Sequence, residues 1–247
     1  MNNKAKTLKT LGLIGGMSWE STVPYYREIN QTVKAQLGGL HSAKLILFSV
    51  DFAEIEHLQA TGQWDAAGAL LADVAQKLEA AGADALVLCT NTMHKVAGTI
   101  SAAVNIPLLH IADPTAQAIK QAGHSVVGLL GTRFTMEQDF YRARLEKDHG
   151  LTVLTPPQAD RDLVHQIIYE ELCLGEVRDT SRQAYLRVIA NLQAQGAQAI
   201  ILGCTEIALL VQPHDCELPL FDTTALHARS AALWALADTM TANTHIS

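Results

Sequence analysis

Hydrophobic and polar positions follow two rhythms along this chain. Short apolar runs alternate with longer segments in which apolar residues return every three or four positions. The runs predict strands at 8–14, 43–50, 85–89, 106–110, 125–130, 151–155, 199–203 and 218–221. The periodic segments predict helices at 20–37, 64–81, 136–148, 160–174, 180–195 and 225–240, several of them followed by glycine. Strands alternating with helices indicate an α/β fold with mainly parallel sheets.

The same pattern occurs twice. Gly82 opens GADALVLCTNT and Gly196 opens GAQAIILGCTE, a gapless match at an offset of 114 residues. GLIG at Gly12 pairs with GLLG at Gly128 at an offset of 116, and IPLL at Ile106 pairs with LPLF at Leu218 at 112. Three pairs in the same order at nearly equal offsets predict two similar, pseudo-symmetric domains, each a mainly parallel four-stranded sheet flanked by helices. Residues 1–112 with a C-terminal helix at 227–247 are expected to form one domain, and 113–226 the other.

Composition narrows the function. The 247 residues are 49% apolar and 17% charged, which suits a packed core and carries no bias to disorder. Lys and Arg number 18 against 25 Asp and Glu, a net charge of −7 without a basic cluster, so no nucleic-acid partner is expected. Behind Lys4, Lys6 and Lys9 the apolar run ends at Gly15, too short for a signal-peptide core or a membrane span. A cytoplasmic protein without membrane contact is therefore expected. Cys89, Cys173, Cys204 and Cys216 show neither zinc-ligand spacing nor a disulfide framework, and no metal site is expected.

In parallel α/β sheets, ligands collect beyond the carboxyl ends of the strands. There the repeat delivers Thr90, Asn91 and Thr92 from one half and Cys204, Thr205 and Glu206 from the other. It pairs Cys204 with Thr90 and Cys89 with Gly203, so Cys89 is expected in the core. Cys204 stands before a predicted helix start at Thr205, where a helix N-terminus would lower the thiol pKa and favour a thiolate. Such a thiolate serves either as a nucleophile or as a base toward carbon, and His94 is the nearest histidine to Thr90. Gly15, Gly16, Met17 and Ser18 do not fit the dinucleotide fingerprint; that loop reads as backbone brought close to a small ligand.

GLIGGMS at the first strand, TNT at Thr90 and GCTE at Gly203 together resemble the aspartate/glutamate racemase family, over nearly the whole chain. GGMSWEST, CTNTMHK, GTRFTMEQDFY and GCTEI are similar to its broad-specificity amino-acid racemases from enteric bacteria. The resemblance implies two similar domains and an amino-acid substrate. It also implies no pyridoxal phosphate or other cofactor, and a homodimer. Two opposed cysteines act in the family as acid and base on the α-carbon; here Thr90 takes the place of the first, and Cys204 corresponds to the base for the L enantiomer. Asn91, Thr92 and Thr205, with the backbone of Met17 and Ser18, are then expected to hold the substrate carboxylate. Glu206 and Arg161 are counted among the substrate-binding residues.

Near the second strand, Asp51, Glu54, Glu56 and His57 stand where aspartate-selective relatives carry a basic residue, leaving less countercharge for an acidic side chain. Other readings are a single-cysteine decarboxylase or cis-trans isomerase of a small diacid, and a non-catalytic ligand-binding protein.

Overall fold

The structure, a computed structural model, describes residues 8–243; Lys4 and Lys6 and the end of the expected C-terminal segment at 244–247 lie outside them. Eight strands are present in the described chain: β1 (Thr10–Gly15), β2 (Lys44–Ser49), β3 (Ala85–Leu88), β4 (Leu108–Leu109), β5 (Val126–Gly131), β6 (Thr152–Leu154), β7 (Ala199–Gly203) and β8 (Leu220–Asp222). Each corresponds to one predicted apolar run. They form two all-parallel four-stranded sheets, ordered β2-β1-β3-β4 and β6-β5-β7-β8.

The sheets repeat in register as well as in order. Leu11 pairs with Ala85 and Val127 with Ala199; Leu86 pairs with Leu108 and Ile200 with Leu220. These pairs reproduce the offsets of 116, 114 and 112 residues found between the sequence halves. The strand starts are also tied alike. The Thr10 N–H donates to the Asp84 carboxylate at 2.6 Å, and the Val126 N–H donates to the Gln198 carbonyl at 3.2 Å.

The chain divides into two compact units. The first comprises the chain up to Cys89, Val96–Leu109 and the chain from Ala228 onward; the second comprises Thr90–Lys95 and His110–His227. In the first, Leu11, Leu13, Val87 and Cys89 pack against Tyr25, Ile29 and Val33 of helix Trp19–Leu37. Helix Thr223–Asn243 adds Ala228, Ala231, Ala232, Ala235 and Leu236 to this core, a spacing of three and four that lines one helical face. The same helix exposes Trp19, Val23 and Tyr26.

In the second unit, period-two alternation divides the sheet between two cores. Leu130, Ile200 and Leu202 face one core with Tyr185, Val188 and Leu192; Val127, Leu129, Ala199 and Ile201 face the other with Ile119 and Tyr141. This explains a departure from the predicted helix at 136–148. The segment breaks into Arg133–Glu137, Asp139–Ala143 and a wide-turn segment Arg144–Asp148, with Gln138 extended between the first two. Met136 packs into the first core, whereas Tyr141 and Leu145 pack into the second, and one straight helix cannot serve both. The structure also adds helices at Phe52–Ala60, Ala97–Ala102, Ala112–Gln121 and Ile207–Leu210.

Candidate active site

Cys89, directly after β3, is fully buried in the core of the first unit, and burial pushes its thiol pKa far up. The next residues, Thr90, Asn91 and Thr92, belong to the second unit and are all buried, although each carries a polar side chain. Buried polar groups need partners, and most of these have one. Thr92 Oγ1 lies 2.9 Å from Thr132 Oγ1, which lies 3.2 Å from Thr135 Oγ1. Thr132 directly follows β5 and caps helix Arg133–Glu137. Sequence reasoning passed over this residue, although the offset of 116 pairs it with Gly16 in the loop already singled out.

Asn91 is oriented by a chain of donors. The Thr223 hydroxyl gives its one hydrogen to the Leu202 carbonyl at 2.9 Å, so it must accept from Asn91 Nδ2 at 3.0 Å. That leaves Asn91 Oδ1 buried without a hydrogen-bond partner. A fixed acceptor of this kind suits a donor, such as an ammonium, better than the carboxylate expected from the resemblance.

His94 is a support of this segment rather than a partner of Cys204. Its Nε2 accepts from the Ile111 N–H at 3.2 Å, so the ring proton sits on Nδ1 and donates to the Thr90 carbonyl at 2.7 Å. Burial, followed by neighbouring His110 and His227, drives its pKa well below the usual imidazole range and keeps it neutral. The ring centroids of His94 and His110 are 4.5 Å apart. Nearby, Asp113 accepts two bonds from Arg144, at 2.7 and 2.8 Å, and one from His149 at 3.0 Å.

At the end of β7, Gly203 has no room for a side chain, since a Cβ there would meet the Leu130 carbonyl at 2.8 Å. Cys204 follows, partly exposed, with its Sγ 3.0 Å from Glu206 Oε2. The Thr205 hydroxyl donates to the same oxygen at 2.6 Å, and Cys173 Sγ lies 3.7 Å from Oε1. Two expectations are corrected here. The helix begins after Glu206, at Ile207, and has only four residues, so it supplies little dipole to the thiol. Burial, and then the Glu206 carboxylate, raise the Cys204 pKa well above its usual range, the reverse of the lowering expected.

Arg161 donates to Glu137 at 2.9 Å, to the Pro156 carbonyl at 2.8 Å and to Gln158, so its charge is already matched. Met17 and Ser18 belong to the first unit, where Ser18 Oγ accepts from the Ser21 N–H at the start of helix Trp19–Leu37. Just before them, Gly16 has φ of 93°, and a Cβ there would meet the Val50 carbonyl at 2.3 Å. Among the described residues no group of three or more His, Cys, Asp or Glu is placed to hold a metal ion, and no helix is long and apolar enough to cross a membrane.

Residues 14–231 match the model of the Asp/Glu/Hydantoin racemase family. The chain is 26% identical over 235 residues to the broad-specificity amino-acid racemase RacX of Bacillus subtilis (strain 168), covering 92% of this chain and 98% of that protein. A Yersinia pestis protein whose crystal structure carries the provisional name Asp/Glu racemase is 65% identical, with a TM-score of 0.86 over 92% of this chain and 99% of that one. The crystal structure of an aspartate racemase homologue from Pyrococcus horikoshii OT3 is 32% identical, with a TM-score of 0.79 over the same shares of the two chains. With paired sheets, matching strand ends and a family match across most of its length, the chain belongs to the Asp/Glu/Hydantoin racemase family.

Proposed function

We propose that this protein is an amino-acid racemase that moves the α-proton without pyridoxal phosphate or a metal. Cys204 serves as the base on the L enantiomer, and Thr90 stands in place of a second thiol. The observation that carries this reading is the equivalence of Thr90 and Cys204 at matching strand ends, both in the second unit and each followed by buried polar residues. Asn91 Oδ1, an unpaired acceptor, receives the substrate ammonium, while Thr92 serves its carboxylate and Thr205, whose hydroxyl hydrogen goes to Glu206, holds that side chain beside Cys204.

A positioned base contributes about 10²–10⁴-fold, far less than an α-proton of such low acidity requires. The larger share comes from hydroxyl and N–H donors fixed around the carboxylate, where negative charge grows as the proton leaves. Thr92 suits that task because its hydroxyl is already oriented by Thr132, and Thr132 by Thr135. With Arg161 bound to Glu137, an acidic substrate side chain meets little free positive charge from that residue, which favours neutral amino acids.

The test is a panel of L and D amino acids incubated in D₂O, with loss of the α-proton signal followed by NMR and inversion by chiral chromatography. Exchange of at least one L amino acid that survives exhaustive dialysis against a chelator is the expected result. Absence of exchange across the panel, or activity restored only by added metal or pyridoxal phosphate, overturns the reading.

A further inference from the structure

We propose that the groove between helix Trp19–Leu37 and strand β2 is the surface on which a second copy of this chain docks about a two-fold axis. Trp19, Val23 and Tyr26 follow one another at spacings of four and three, which lines one helical face, and they are 65%, 45% and 58% exposed. The stripe continues to Asn30, whose Oδ1 accepts from the Ala43 N–H at 2.9 Å just before β2, so it runs along that strand. Leu47 of β2, 47% exposed, lies across from it. With Thr22 and Ser49 these side chains line an apolar groove of about 200 Å³. So much exposed apolar surface in one place marks a contact surface rather than ordinary scatter.

The strand beside the groove is open as well. β2 stands at the end of its sheet, and among the described residues it pairs with β1 alone. Its six residues, KLILFS, carry a single charge at the first position and no proline, so little in the strand itself blocks pairing with another chain. A second copy closes this edge completely. Two identical strands related by a two-fold axis pair antiparallel, each uses its free side on the other, and no edge remains for a third chain.

Charge at the two ends of the groove selects this partner and its direction. Where the helix starts and β2 ends stand Glu20, Asp51 and Glu54; where the helix ends and β2 starts stand Lys34 and Lys44. A two-fold copy runs in the opposite sense, so the acidic end of each chain faces the basic end of the other, twice over. A copy docked in the same sense would set like charges together. The chain carries a net charge of −7, which disfavours self-association in general, and this complementarity offsets that repulsion where the two copies meet.

Sedimentation velocity of the full chain across the micromolar range is the test, and the wild type is expected at twice the mass of one chain. Leu47→Arg sets two like charges near the middle of the paired strands and should raise the dimer Kd at least about 30-fold. Trp19→Ser, which leaves the sheet untouched, should weaken the dimer too, so the result does not hang on the folding of one variant. Leu174→Arg, at a leucine 66% exposed in the second unit, should change nothing. Lys44→Glu should raise Kd several-fold, and more so at low salt. A monomeric wild type, an assembly larger than two copies, or Leu47→Arg and Trp19→Ser variants that stay folded and dimeric overturn the proposal. An unchanged Kd for Lys44→Glu at low salt overturns the antiparallel arrangement. The measurement reads mass rather than turnover, so its outcome is independent of whether any amino acid exchanges.

Discussion

The ends of β3 and β7 occupy equivalent positions in equivalent sheets, yet they present different chemistry. Up to the last strand residue the two follow one pattern: the Leu86 and Ile200 N–H groups donate to Pro107 and Pro219 carbonyls at 2.8 and 2.9 Å. One position before the loop they part. Cys89 buries its thiol in the core of the first unit, whereas its partner Gly203 is pressed against the Leu130 carbonyl and admits no side chain. Thr90 then has its carbonyl held by a neutral histidine, while Cys204 has its thiol held by a carboxylate. Register constrains residues inside the sheet, since a slip would turn each side chain to the wrong face. Residues just beyond the strand escape that constraint, so the side chains and their supports diverge there while the frame stays paired.

The comparison is broken most directly at Cys204. Cys204→Ala is expected to lower exchange of L substrates by about 10²–10⁴-fold, the range a positioned base supplies, without loss of fold. Circular dichroism and NMR exchange in D₂O check both parts. Retained exchange would remove Cys204 from the chemistry.

Thr90→Cys sharpens it by making the two ends alike. A hydroxyl is a much poorer acid than a thiol, so the wild-type enzyme should exchange the α-proton of L substrates faster than it inverts them. With a thiol at position 90, inversion should rise by about tenfold or more, and D substrates should begin to exchange. Chiral analysis of the products over time measures this. Unchanged inversion in a folded variant would mean that Thr90 is not the group on the opposite side.

Much of the frame was legible in the chain, because strand burial and strand pairing leave a period and an offset that survive without structure. The eight apolar runs and the three offsets foretold both sheets, and the gapless match at Gly82 and Gly196 foretold that Cys89 is core. What the pattern did not carry were contacts made across long sequence separations. Nothing local to Asn91 marks Thr223, 132 residues away, as the hydroxyl that orients its amide. The Cys204 pKa was misjudged for a related reason: the residue two places on was read as part of a helix start, whereas its carboxylate turns back onto the sulfur. Thr132 had a usable signal in the offset of 116, but its importance depends on Thr92 reaching it.

The histidine support behind Thr90 yields a pH effect with no counterpart in the Cys204 contacts. His94 is held neutral by burial, and His110 is lowered to about 3, mainly by burial and then by the Arg144 charge. Unfolded imidazoles protonate near pH 6.5, so below that value the unfolded chain binds more protons than the folded one and stability falls as pH drops. The loss is about 1.4 kcal/mol per pH unit for each such histidine, and for His110 it continues until the pH approaches about 3. Urea unfolding midpoints should therefore decline steadily from pH 6.5 to 5 and stay nearly level above pH 7. His110→Gln should reduce that slope; an equal slope in this variant would mean that His110 is protonated in the folded protein.

The smallest expected effect tests the alignment on which the whole comparison stands. If Cys89 is the counterpart of Gly203, its thiol is a packing group, placed among Leu11, Leu13 and Val87, and its burial leaves it protonated at any ordinary pH. Cys89→Ala then removes one buried sulfur, with an expected cost of about 1–2 kcal/mol in unfolding free energy, and exchange per folded molecule should be unchanged. Thr90→Ala, one residue on, should instead leave stability nearly intact and reduce inversion. The two neighbouring variants thus divide stability from chemistry in opposite directions. If the pattern reverses, with Cys89→Ala inactive and Thr90→Ala harmless, the equivalence is off by one residue and the group opposite Cys204 is a thiol after all.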